Sequence, residues 1–140
     1  MPEKKDSPPQ LSIILPAFNE GAHIHANLLR VCETLEGLHY EIIVVDDGSS
    51  DDTFAQSQRA ADEGHPVRAV RQEKNRGKGA SLFHGFEFSR GEHVAGLIDQ
   101  GMQVAIGRLQ HHLAGLDLGE VEHVVHHAQQ ALGAAVDHAD

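Results

Sequence analysis

Three short segments hold residue types whose spacing suits work on a charged small molecule. The densest is Val44-Val45-Asp46-Asp47-Gly48-Ser49-Ser50-Asp51-Asp52-Thr53. Two carboxylates stand there at the tip of a very apolar run, where an acid is costly unless it is used. A carboxylate so placed can accept from the ring N–H of a base or from ribose hydroxyls, and the amides of the Gly-Ser turn can meet a ligand. The plainer alternative is that Asp46 and Asp47 only form the turn, with Ser50 or Asp51 capping a helix. A second segment, Glu73-Lys74-Asn75-Arg76-Gly77-Lys78-Gly79, joins two glycines that permit close backbone approach to the cations Arg76 and Lys78. That suits a phosphate or nucleotide, the alternative being a solvated basic loop. In the third, Pro16-Ala17-Phe18-Asn19-Glu20, Asn19 and Glu20 fall at a strand-to-helix turn, although Pro also ends strands and Asn or Glu also begins helices for structural reasons alone.

Each segment follows a run that reads as a buried strand: Leu11 to Leu15, Glu41 to Val45, and Pro66 to Val70. A fourth strand is expected near His93 to Ile98. Between them lie helical patterns. Ile24, Leu28, Val31 or Cys32, and Leu35 recur on one face, and Gly37 is placed to end that helix. The second helix is expected to open at Ser50 or Asp51 and to run to about Ala61, the third from about Lys78 to Ser89. This alternation suits βαβ crossovers. It predicts a three-layer α/β/α fold with a mainly parallel sheet and ligand sites at the strand C-terminal ends.

The chain has 140 residues, enough for one domain, here a leader over 1–10 expected to be flexible and a single domain over 11–140. Apolar residues at 40% and charged ones at 23% exclude the disordered and disulfide-scaffold classes. A formal charge of −10 argues against nucleic acid as a partner. Five of the eleven Lys and Arg nevertheless fall within residues 71–90, so the positive charge is gathered in one place. The single Cys32, on the apolar stripe of the first helix, reads as a small core residue. With no secretory signal pattern and no apolar run of about 20 residues, a cytoplasmic setting is expected, any membrane face being reached through a partner. From Gly101 onward the pattern weakens: a helix over Arg108 to Leu116, a strand over Val121 to Val125 and a helix over Ala128 to Val136 would prolong the alternation. The histidines there, His111, His112, His123, His126 and His127, read as a solvated face rather than a metal site, since adjacent histidines diverge on a helix.

Taken together and in order, the segments LSIILPAFNE, EIIVVDDGSSDDT and NRGKGASLFHGFEFSRGEHVAGLID resemble the N-terminal part of the family 2 glycosyltransferases, particularly the dolichyl-phosphate or polyprenyl-phosphate sugar transferase branch. The resemblance covers about residues 11 to 103. It implies a Rossmann-like GT-A nucleotide-diphospho-sugar transferase fold, C-terminally truncated here. It also implies transfer, with inversion, of a sugar from a UDP- or GDP-linked donor to an acceptor that is often a lipid phosphate. Carried over by position, it puts Pro16, Ala17, Asn19 and Glu20 beside the nucleotide and Asp47 on its base or ribose. Asp46, Gly48 and Ser49 join that donor set, and Lys78 and Arg76 lie near the base or diphosphate. The metal motif of the branch falls on Asp99-Gln100-Gly101-Met102-Gln103. Asp99 and Gln103 match as ligands for Mg2+ or Mn2+, but Gly101 stands where a second Asp is expected, so a weakened site is implied. No catalytic base is identified; an anionic lipid phosphate needs none. The alternative function is a catalytically impaired nucleotide-binding or regulatory remnant. The partners to expect beyond donor and acceptor are a second copy of the chain or a separate membrane subunit.

Overall fold

A computed structural model describes residues 8–97 and 103–107. The elements are β1 (Leu11–Ala17), α1 (Ile24–Thr34), β2 (Tyr40–Asp47), α2 (Thr53–Asp62), β3 (Val67–Gln72), α3 (Lys78–Phe88), β4 (His93–Leu97) and β5 (Gln103–Gly107). They build one sheet in the order β3-β2-β1-β4-β5. β1 pairs in parallel with both β2 and β4, and β2 with β3, whereas β5 runs antiparallel to β4. The expected α/β architecture and parallel core are therefore present.

Alternation along the strands divides the core into two layers. Leu11, Ile13, Leu15, Ile42 and Val44 pack with Ile24, Leu28, Val31 and Cys32 of α1 and Ala60 of α2. Ile14, Ile43, Val45 and Val94 face the other way, against Leu82, Phe86 and Phe88 of α3. Burial on this scale, at about 25 cal/mol per Å2 of apolar surface, is what holds a sheet so poor in aromatic residues. α3 lies close on the sheet because Gly85 has no side chain: a Cβ there would stand 2.5 Å from Cγ2 of Ile14. Burial raises the thiol pKa of Cys32, which fits its place as a core residue.

Several bounds differ from expectation. β3 begins at Val67 and continues through Arg71 and Gln72, because these two pair with Asp46 and Asp47 and so prolong the ladder. α2 begins at Thr53; Asp51 caps from outside the helix, its Oδ1 accepting the Thr53 amide at 3.0 Å. Pro9 and Gln10, placed by sequence in the leader, bond to the sheet instead: Gln10 N donates to the His39 carbonyl at 2.7 Å and Glu92 N to the Pro9 carbonyl at 3.2 Å. β5 was not expected as a strand at all. The elements expected over Arg108 to Leu116, Val121 to Val125 and Ala128 to Val136 lie outside the described residues.

Candidate functional site

The ends of β1, β2 and β3 and the loops that follow them meet at one edge of the sheet. Strand alternation sends the two carboxylates of β2 to opposite sides, Asp46 continuing the Ile42–Val44 face and Asp47 the Ile43–Val45 face. Asp47 is buried and well bonded. Its Oδ1 accepts from Gln72 Nε2 at 2.7 Å and from the Arg76 amide at 2.8 Å, and its Oδ2 from the Gly77 amide at 3.0 Å. A carboxylate offers roughly four acceptor positions, so about one remains for a ligand. Asp46 is 1% exposed, and its Oδ1 accepts the Ser49 amide at 3.0 Å. Its Oδ2 has no hydrogen-bond partner among the described residues, the nearest cation being Arg71 Nε at 3.7 Å.

The turn after β1 is sewn to the turn after β2. Asn19 adopts a φ of 52°, a left-handed conformation that Asn tolerates better than most residues. Its amide donates to Ser49 Oγ at 2.8 Å and its Oδ1 accepts the Ser50 amide at 2.9 Å. Glu20 N donates to Thr53 Oγ1 at 2.8 Å, and Gly21 N to Asp51 Oδ2 at 3.0 Å. The bond from the Thr53 hydroxyl, aided by those from the Gly21 and Thr53 amides, holds the Asp51 carboxyl below its ordinary pKa. Gly48, at φ 76°, lets the next loop rest on this turn, because a Cβ there would lie 2.7 Å from the Asn75 amide nitrogen.

Two cavities open among these strand ends and loops. One, of about 200 Å3, is lined by Pro16, Ala17, Phe18, Glu20, Asp47 and Lys78. The other, of about 440 Å3, is lined by Arg71, Gln72, Glu73, Lys74, Arg76 and His84. Of the expected donor residues, Pro16, Ala17, Glu20, Asp47 and Lys78 thus share the smaller cavity. Asn19, Gly48 and Ser49 join the loops around it, and Asp46 is buried beside them. Arg76 gives its amide to Asp47 but lines the larger cavity. Asp99 lies outside the described residues, and Gln103 begins β5 opposite Leu97. Among the described residues no group of three or more His, Cys, Asp or Glu is placed to hold a metal ion. Phe18, 46% exposed beside the smaller cavity, was missed as a site residue, although a large aromatic in a strand-end turn was the signal to find it. Gln72 and His84 carried no such signal, since their pairing depends on β3 reaching Gln72.

Residues 12–136 match the family model described as Glycosyl transferase family 2. Over 83 residues the chain is 34% identical to dolichol-phosphate mannosyltransferase of Pyrococcus furiosus, covering 59% of this chain and 23% of that protein. Over 106 residues it is 36% identical to human dolichyl-phosphate beta-glucosyltransferase, covering 67% of this chain and 32% of that one. Among solved structures, the mannosyltransferase PcManGT from Pyrobaculum calidifontis, in complex with GDP-Man and Mn2+, superposes with a TM-score of 0.59 at 25% identity, over 66% of this chain and 28% of that chain. Glucosyl-3-phosphoglycerate synthase from Mycobacterium tuberculosis, in complex with Mn2+, UDP and glucosyl-3-phosphoglycerate, gives 0.52 at 28% identity, over 64% and 33%. The chain spans a third or less of each of these proteins.

Proposed function

From the premise that the chain belongs to glycosyl transferase family 2, we propose that it binds a nucleotide-diphosphate sugar at the strand ends of β1 and β2 and transfers the sugar, with inversion, to an acceptor. The observation that carries this reading is the cavity where Phe18, Asp47 and Lys78 converge. Each of the three answers one part of such a donor. The Phe18 ring offers a base a stacking face. Asp47, with about one acceptor position left, receives a base N–H or a ribose hydroxyl. Lys78 brings positive charge toward the diphosphate. Asn19, Gly48 and Ser49 hold the loops in register around these groups, and Pro16, Ala17 and Glu20 complete the wall.

A divalent cation, Mg2+ or Mn2+, belongs to this reading, with the Asp99 carboxylate and the Gln103 amide as the chain's oxygen donors. One carboxylate plus an amide suits a hard cation that takes its remaining ligands from phosphate and water. When bound, such an ion stabilises the charge that gathers on a departing nucleoside diphosphate. The acceptor is proposed to be a polyprenyl phosphate, the chemistry named in the mannosyl- and glucosyltransferase relatives. Its oxygen is already anionic, so attack at the sugar needs no base from the chain. Among the described residues no helix is long and apolar enough to cross a membrane. A lipid acceptor would be met at a membrane face, and a partner subunit is proposed as one means of reaching it.

Gly101 favours a second reading, in which donor binding persists and turnover has been lost. Calorimetric titration with UDP and GDP, each with and without Mn2+, tests both. Binding of one nucleotide, strengthened by the ion, is expected; no binding of either overturns the donor site, and binding indifferent to the ion overturns the metal assignment. Sugar-nucleotide turnover that appears only in Gly101→Asp would establish the impaired remnant.

A further inference from the structure

The larger cavity shares no lining residue with the smaller one, where the donor is proposed to bind. Its walls are the end of β3, the loop after it and one residue of α3. Three cations, Arg71, Lys74 and Arg76, face one carboxylate, Glu73, in a chain whose formal charge is −10. All three cationic residues are exposed. A volume of about 440 Å3 is in the range of small-molecule sites.

The back wall is fixed by a chain of hydrogen bonds. Gln72, 7% exposed, donates from Nε2 to Asp47 Oδ1 at 2.7 Å and to Ser81 Oγ at 3.3 Å. This orients the amide so that Oε1 meets Nδ1 of His84 at 3.0 Å. An amide oxygen only accepts, so Nδ1 of His84 is the donor; Nε2 donates to a phosphate oxygen only from the imidazolium form, which a bound anion favours. Phe88 stacks on the same ring, with centroids 5.4 Å apart. The Arg71 side chain lies on the opposite face of β3 from Gln72, its guanidinium 3.7 Å from Asp46 Oδ2 and 5.6 Å from the centroid of the Phe54 ring of α2, so it adds positive charge at this edge without joining the His84 side. By strand register Arg71 and Gln72 are the partners of Asp46 and Asp47, which ties this cavity to Asp47, a residue that lines the smaller one.

We propose that this cavity is a second anion site, which takes the phosphate group of a ligand other than the sugar donor through Lys74, Arg76 and His84. The site rests on its own geometry and does not require that the smaller cavity bind a nucleotide. The phosphate can come from a soluble phosphate ester or from a lipid headgroup. For the latter, Phe83, next to His84 on α3 and 68% exposed, offers an apolar contact.

Inorganic pyrophosphate titrated into the full chain, read by amide chemical shifts and by calorimetry, provides the test. Affinity is expected to fall about tenfold in Lys74→Ala and in His84→Gln and to stay near the parent value in Arg30→Ala, an exposed cation on α1 that lines neither cavity. Lys74 is exposed, so its variant keeps the fold, as a thermal melt will verify. An affinity loss confined to Lys78→Ala, or no saturable binding, overturns the proposal. Vesicles of phosphatidylcholine with and without phosphatidic acid then separate the sources. Sedimentation that requires phosphatidic acid and weakens in both Lys74→Ala and Phe83→Ser assigns a lipid headgroup. Pyrophosphate binding without sedimentation assigns a soluble ligand, and sedimentation indifferent to Lys74→Ala overturns the site.

Discussion

The two ends of the parallel strands bury similar polar groups and leave them in different states. At the N-terminal end, Ser12 Oγ donates to Glu41 Oε2 at 2.5 Å and accepts the Gly91 amide at 2.8 Å. The same Glu41 oxygen accepts the Arg90 amide at 2.7 Å. A Cβ on Gly91 would meet Ser12 Oγ at 2.6 Å, so this end is tightly closed. At the C-terminal end Asp47 takes three donors, yet Asp46 keeps a buried oxygen without a hydrogen-bond partner among the described residues, and cavities of about 200 and 440 Å3 open there. The Ser12–Glu41–Gly91 network is satisfied, although His93 Nδ1 at the same end is buried without a partner among the described residues; what sets the other end apart is that its spare acceptor and donor capacity lies beside open cavities, where a ligand can use it. Variants at the two ends should therefore separate stability from binding.

The largest effect is expected from Gly48→Ala. The new Cβ would meet backbone, the Asn75 nitrogen at 2.7 Å and the Lys74 carbonyl carbon at 2.8 Å, at a φ of 76° that disfavours any side chain. Left-handed strain and overpacking together cost about 3 kcal/mol. The loop over 74–77 must move, so nucleotide and pyrophosphate binding should both be lost. A urea unfolding curve and calorimetry check this. A variant with parent stability and binding would show that the loop does not rest on the turn.

Much of this arrangement was legible because the strands are apolar, short and followed by turn-forming residues. β1, β2 and β4 lie where the β-branched runs put them, and α3 opens at Lys78 as expected. What sequence could not show is what pairing decides. Arg71 and Gln72 are polar and read as loop, yet the register opposite Asp46 and Asp47 makes them strand. β5 is five residues with two glycines close by, and its strand character comes from lying beside β4. Asn19 was legible as a turn residue, but its bonds to Ser49 and Ser50 join segments 30 and 31 residues apart, a distance over which local patterns are silent. Asp99 and the segments after residue 107 lie outside the described residues, so the metal motif stays a matter of sequence.

Ser12→Ala probes the closed end. It removes the acceptor for the Gly91 amide and the donor to Glu41, both inside the fold. A buried donor left without a partner costs about 2 kcal/mol. The unfolding midpoint should drop while UDP or GDP affinity, measured well below the transition, stays unchanged. An affinity loss as large as the stability loss would mean that the two ends are coupled and the contrast between them fails.

Phe18→Ala probes the open end in the converse way. The ring is half-exposed, so little stability is at stake, but a base loses its stacking face. Nucleotide affinity should fall about tenfold, the lower range for an aromatic–base stack, with the melting temperature nearly unchanged. Pyrophosphate, which has no base, should bind Phe18→Ala as it binds the parent. Equal loss for nucleotide and pyrophosphate would place both ligands in one cavity and dissolve the distinction between the two.

The smallest effect concerns the seam between the β1 and β2 turns, and it depends on pH. Asp51 accepts the Gly21 amide, the Thr53 amide and the Thr53 hydroxyl, and these bonds lower its pKa in the folded chain. A depressed carboxyl contributes stability that is fully present above its unfolded value, about 3.9, and is lost as pH falls through the folded value. Glu63 has the same sign, its carboxylate held down by His25 at 2.7 Å and by Arg59. Both carboxylates are open to solvent, which screens the gain, so the effect is one of slope rather than of large magnitude. Asp51→Asn keeps an oxygen for one donor and cannot titrate. Its unfolding free energy should therefore fall less steeply than the parent's from about pH 4 downward, starting from a lower value at neutral pH. Parallel curves for the two proteins would mean that the seam is held by shape and by the Asn19 bonds alone, and that the open end is no more sensitive to acid than the closed one.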